Sequence, residues 1–91
     1  PMLEDIALIV DEALPAAKAE HLIRQTGGKM LAEARLFDVY RGEQLGEGKK
    51  SLAYALTYQA PDRTLTDKEA AKIRKKIVKR LEYEVGAELR G

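Results

Sequence analysis

The sequence predicts an α+β fold: a four-stranded antiparallel sheet with two helices packed on one of its faces. Three observations carry this. Hydrophobic periodicity alternates between strand and helix spacing in the order β, α, β, β, α, β. Glycine and proline stand at the boundaries that this order requires. The 91 residues suit one domain, spanning 1–91, and bury enough surface for a modest core without disulfides or structural metals.

Each element has its own local cause. Asp5 to Val10 is a β-branched run in which Ile6, Leu8 and Val10 face one way and Asp5, Ala7 and Ile9 the other. Pro15 to Thr26 holds helix formers, with Ala19, Leu22, Ile23 and Thr26 at helical spacing, and Gly27-Gly28 ends it. Met30 to Tyr40 reads as a long strand whose parity breaks: Ala34 and Leu36 want the core on one phase, Phe37 and Val39 on the other. A β-bulge near Leu36 and Phe37 reconciles them. Arg41 to Lys50 carries three glycines and reads as a hairpin loop. Ser51 to Ala60 alternates cleanly, Leu52, Tyr54, Leu56 and Tyr58 against Ser51, Ala53, Ala55 and Thr57. Thr66 followed by Glu69 is a capping box that opens a second helix, Asp67 to Gly86. Its apolar positions Ala70, Ile73, Ile77, Leu81 and Val85 recur every three or four residues. Ala87 to Arg90 is long enough for a last edge strand. With right-handed crossovers this order gives the ferredoxin-like split βαββαβ arrangement. The expected core is Ile6, Leu8, Leu22, Phe37, Val39, Leu52, Leu56, Ile73, Ile77 and Leu81.

Composition narrows the function. There is no cysteine, which removes thiol nucleophiles, disulfides and Cys-based zinc sites and fits a reducing, cytoplasmic setting. No apolar run approaches membrane-spanning length, so no membrane role is expected. Sixteen basic against fifteen acidic residues leave a net charge of +1, too little for strong long-range attraction of a polyanion. The single histidine, His21, has no partner at metal-ligand spacing and reads as structural or exposed. Gly46-Glu47-Gly48-Lys49-Lys50 lacks the strand-loop-helix setting of a phosphate loop and reads as a turn. No catalytic residue, metal ligand or cofactor is expected in this domain.

The uncovered side of the sheet is where function is expected. Strand one offers it Asp5, Ala7 and Ile9, strand two Asp38 and Tyr40 beyond the bulge, and strand three Ser51, Ala53 and Ala55. A floor of Ala and Ser beside one aromatic ring has room for a planar ligand. An unpaired base is one, stacking on the ring while Asp or Ser meets its polar edge. The same face also suits a protein domain packed against it, and that is the alternative reading. The RNA-recognition-motif pattern is absent, because strands one and three present Ala7, Ile9, Ala53 and Ala55 where that module has aromatics. An acylphosphatase-like enzyme would need a paired Arg and Asn, and the chain has no Asn. Paired-carboxylate chemistry would need Asp5 across the strands from Asp38.

The strings Asp5-Ile6-Ala7, Leu36-Phe37-Asp38-Val39-Tyr40-Arg41-Gly42, Lys50-Ser51-Leu52-Ala53, Arg63-Thr64-Leu65-Thr66 and the ending Leu89-Arg90 together resemble the ferredoxin-fold anticodon-binding domain. In bacterial phenylalanyl-tRNA synthetase this module forms the C-terminal end of the beta chain. The resemblance covers nearly the whole chain. It implies a domain that grips the anticodon stem-loop of tRNA(Phe) while aminoacylation, with ATP and magnesium, proceeds elsewhere in the enzyme. Other beta-chain domains and the alpha subunit are then its further partners. The positions matching the family's base contacts are Ala7, Asp38, Tyr40 and Ser51. Arg41, Lys49 and Lys50 lie near the sheet edge and are candidates for the sugar-phosphate backbone. Family members often carry a basic residue just before the strand-one Asp, where this chain has Glu4. The start at Pro1, so close to a strand, reads as a fragment of a longer chain. Helix two carries Lys68, Lys72, Lys75, Lys76 and Lys79 on one face, directed away from Tyr40, which reads as a solvated face rather than a phosphate rail, and Arg74 falls inside its apolar arc, its stem covering the core edge.

Overall fold

A computed structural model describes residues 1–90. The elements are β1 (Met2–Asp11), α1 (Ala16–Gly27), β2 (Leu31–Tyr40), β3 (Lys49–Tyr58), α2 (Asp67–Val85) and β4 (Glu88–Arg90). The sheet order is β2-β3-β1-β4, every neighbouring pair antiparallel. This is the expected ferredoxin-like βαββαβ arrangement. Alternation decides the layers: Ile6, Leu8 and Val10 of β1, with Leu52, Tyr54, Leu56 and Tyr58 of β3, join Ala19, Leu22 and Ile23 of α1 and Ala70, Ile77 and Leu81 of α2 in one core.

Both helices end as the local chemistry dictates. The amide of Glu69 donates to Thr66 Oγ1 at 3.2 Å and the amide of Thr66 donates to Glu69 Oε1 at 3.0 Å, closing the capping box. At the other end Gly86 takes φ 66°. The amides of Gly86 and Ala87 then reach back to the carbonyls of Glu82 and Leu81, a stop that an L side chain would strain. Pro15 stands at the N-cap of α1 with an extended backbone, one residue before the helix begins.

The bulge falls where the parity conflict puts it. Leu36 pairs with Tyr54 and Asp38 with Ala53, leaving Phe37 unpaired between them; a second irregularity lies between Leu31 and Glu33. The core expectation is corrected at Phe37 and Val39. Phe37, the bulged residue, is 48% exposed, and Val39 is 38% exposed although it pairs with buried Leu52. Val39 lies near the end of an edge strand, which has a neighbouring strand on one side only. Ile73 packs at the core margin. Strand β3 begins at Lys49, because Lys49 and Lys50 pair with Asp11 and Val10 of an equally long β1. Their assignment to the loop is therefore corrected.

Candidate nucleic-acid interface

Cross-strand register arranges the uncovered face in rows. One row runs Asp38, Ala53, Ala7, Arg90 across β2, β3, β1 and β4; the next runs Tyr40, Ser51, Ile9, Glu88. All four residues matched to base contacts therefore fall in two adjacent rows. The bulge makes this possible. Leu36 faces the core opposite Tyr54, and without the extra residue Asp38 and Tyr40 would share its side.

Tyr40 is held from three directions. Gln44 donates from Nε2 to its hydroxyl. A Cβ added at Gly42 would sit 2.5 Å from the Tyr40 hydroxyl oxygen and 2.6 Å from Gln44 Oε1, so only glycine leaves the ring its place. Above the ring lies the guanidinium of Arg90, its Cζ 4.8 Å from the centroid, within cation–π range. Tyr40 and Arg90 stand on opposite edge strands, about 14 Å apart at three strand spacings. Small residues, Ala7, Ala53 and Ser51, stand between them on the two central strands of this face. Ser51 is only 2% exposed, whereas Asp38 is exposed to solvent. Sequence reading placed Arg90 in an edge strand without a role. The alanine floor beneath it was the available signal, since a small residue on an open face leaves room for a long side chain from the next strand.

The three cations proposed for the backbone are each engaged by a carboxylate. Arg41 makes a two-pronged ion pair with Glu12, with Nη2 3.0 Å from Oε2. Lys50 Nζ lies 3.6 Å from the same carboxylate, and Lys49 Nζ lies 2.7 Å from Asp11. The Arg41 hydrogen bond, with smaller help from Lys50, holds the Glu12 carboxyl below its ordinary range. Charged residues of the open face number three cations, Arg35, Lys49 and Arg90, against five anions, Asp5, Asp11, Glu33, Asp38 and Glu88. A face with that balance meets the edges and rings of bases more readily than phosphates.

Glu4 belongs to the other side of the sheet. It accepts from the Tyr58 hydroxyl at 2.8 Å and pairs with Arg74 Nη1 at 2.5 Å, so the carboxylate and the out-of-place arginine of α2 explain one another. Burial, and then the bond to Glu4, raise the Tyr58 hydroxyl well above its usual range. Among the described residues no three His, Cys, Asp or Glu side chains gather as a metal-binding group. Among the described residues no helix is long and apolar enough to cross a membrane.

A split βαββαβ sheet with one bare face, a clamped aromatic over an alanine floor and a free carboxylate beside it defines a binding module of the ferredoxin-like class. The profile of the ferredoxin-fold anticodon binding domain matches residues 1–90, and the chain belongs to that family. It is 52% identical over 86 residues to a phenylalanine–tRNA ligase beta subunit of Clostridium tetani, covering 94% of this chain and 11% of that protein. The corresponding subunit of Corynebacterium jeikeium is 52% identical over 89 residues, 98% of this chain and 10% of that protein. That of Bacillus subtilis is 46% identical over 87 residues, 96% of this chain and 11% of that protein. The chain thus spans about a tenth of the length of these relatives.

Proposed function

We propose that this chain is the non-catalytic module with which a phenylalanine–tRNA ligase beta subunit holds the anticodon stem-loop of tRNA(Phe), acylation occurring elsewhere with ATP and magnesium. The observation that carries the reading is Tyr40, held by Gln44 and Arg90 in the row next to exposed Asp38 and the small residues Ala53 and Ala7. An unpaired base stacks on the ring face that Arg90 covers in the absence of RNA, and the displaced guanidinium turns its donors to the ligand. The Asp38 carboxylate, an acceptor only, selects a base edge that presents N–H groups. Ser51 and Ala7 shape the floor, Ser51 becoming accessible when the ring and guanidinium part. Arg41 and Lys49 reach the phosphate backbone by exchanging their carboxylate partners for phosphate oxygens, while Lys50, buried and paired with core-facing Val10, supports Glu12 from the helix side of the sheet. The tRNA, the other beta-chain domains and the alpha subunit are the partners this reading implies, in the cytoplasm.

Anisotropy titration of a labelled tRNA(Phe) anticodon stem-loop tests it. Tyr40→Ala should weaken binding by about 1–3 kcal/mol with an unchanged thermal melt. Asp38→Ala should narrow the gap between the cognate loop and an anticodon-substituted one more than Tyr40→Ala does, because edge contacts carry sequence and stacking does not. Wild-type affinity and discrimination in both variants would sink the reading and favour a face that docks a protein domain.

A further inference from the structure

The net charge of +1 hides a segregation that the sheet-face reading does not use. Helices α1 and α2 hold nine basic against five acidic residues, while the rest of the chain holds seven against ten. The excess is concentrated on α2, where every exposed position between Ala70 and Leu81 is a lysine: Lys72, Lys75, Lys76 and Lys79. Lys68 precedes them by one turn. Among the described residues none of the five has a carboxylate within ion-pair distance, whereas Arg74 and Arg80 of the same helix are paired with Glu4 and Glu84. One turn beyond Lys79 stands Tyr83, 88% exposed. At about 100° per residue the five lysines and Tyr83 fall within an arc of about 100° on the helix surface.

We infer that this stripe is a second nucleic-acid surface, taking an unpaired RNA segment whose phosphates lie along the lysines and one of whose bases stacks on Tyr83. From Lys68 to Lys79 the stripe runs about 16 Å, the reach of four to five nucleotides stacked at about 3.4 Å. Charge complementarity argues for a polyanion, since unpaired ammonium groups without an intervening carboxylate gain most from phosphate. RNA is favoured over an acidic protein surface because lysine is depleted from protein interfaces and no apolar side chain interrupts the row. Tyr83, the most exposed large hydrophobic side chain among the described residues, supplies the stacking platform typical of single-strand binders. The stripe lies on the helix side of the sheet, opposite Tyr40, and its role is independent of what the open face binds.

The experiment uses a labelled ten-nucleotide oligouridylate, which has no stem or anticodon, and the chain carrying Tyr40→Ala so that sheet-face stacking is removed. Affinity is followed against salt. Replacing Lys72, Lys75, Lys76 and Lys79 with Gln should lower the log–log salt slope by up to about 3, at about 0.7 for each phosphate left without its lysine. Tyr83→Ala should weaken binding roughly tenfold at every salt concentration while leaving the slope in place. The same four lysines changed to Arg should retain the slope, which separates loss of charge from loss of fold. An unchanged slope in the Gln variant, or loss of binding in the Arg variant, would overturn the inference. So would a polyglutamate peptide that competes as well as the oligouridylate and is indifferent to Tyr83→Ala, because the stripe would then be an acidic-protein dock.

Discussion

Tyr40 shows how a ring on an open sheet face is fixed by the residues around it. Its ring is held in place by a donor from Gln44, by the missing side chain of Gly42 and by Arg90 reaching over from the far edge of the sheet. Gly42 has an extended φ of −167°, so its role is clearance and not backbone freedom. Gly42→Ala should therefore push the ring aside: anticodon stem-loop affinity should fall severalfold while the thermal melt shifts by no more than a degree or two. A large drop in melting temperature with intact affinity would show that the glycine serves the turn. Arg90→Ala separates two roles of the guanidinium. If it helps hold RNA, affinity falls with a shallower salt slope; if it only covers the empty ring, affinity rises.

Helix α2 illustrates how an element is delimited by chemistry that is local and legible. The Thr66–Glu69 box satisfies orphan amides at its start, and Thr66→Ala should cost about 0.5–2 kcal/mol of stability, read as a lowered denaturant midpoint. Glu69 also receives Arg63 Nη1 at 2.6 Å. That hydrogen bond first, and the Thr66 amide second, hold the Glu69 carboxyl down to about 2 from an ordinary 4.5. The folded chain thus keeps a carboxylate that the unfolded chain already protonates near pH 4.5. The contribution is full above about pH 4.5 and is lost as pH falls toward 2. Glu69→Gln should accordingly flatten the acid limb of the stability profile in that window, as followed by circular dichroism. An acid limb identical to wild type would mean that Arg63 and the Thr66 amide do not hold the Glu69 carboxylate in solution.

At the scale of the whole molecule, stability is carried by the middle of the sheet. Leu52 of β3 is fully buried between Leu8 of β1 and Val39 of β2, and Leu52→Ala should cost about 2–5 kcal/mol, measured by chemical denaturation. A loss below half a kcal/mol would show that β3 is out of register. The buried tyrosines behave differently from the leucines around them. Tyr54 donates to the Ala16 carbonyl at 2.8 Å, and burial, with Glu20 nearby, pushes its hydroxyl up to about 12. The folded state then keeps a proton that the unfolded chain releases near 10, so stability should fall as pH rises from about 10 to 12. Tyr54→Phe should remove part of that alkaline slope.

Element order and type, the capping box, the Gly86 stop and the bulge at Phe37 were all readable in the sequence, because each follows from contacts within a few residues or from alternation along one strand. The candidate site was readable in part. Alternation placed Ala7, Asp38, Tyr40 and Ser51 on one face, but alternation does not report what crosses that face from another strand. Ser51 is buried, and Arg90 meets Tyr40 from the opposite edge strand. Glu12 and Asp11 take up the cations that looked free at Arg41, Lys49 and Lys50. Phe37 and Val39 looked like core residues, yet one is extruded by the bulge and the other lies near the end of an edge strand. In each case the deciding partner is distant along the chain and is brought near only by strand order. Local chemistry, acting over four or five residues, was therefore determined by the sequence alone, while pairing between charges and rings on different strands was decided by the tertiary structure that sets their distance.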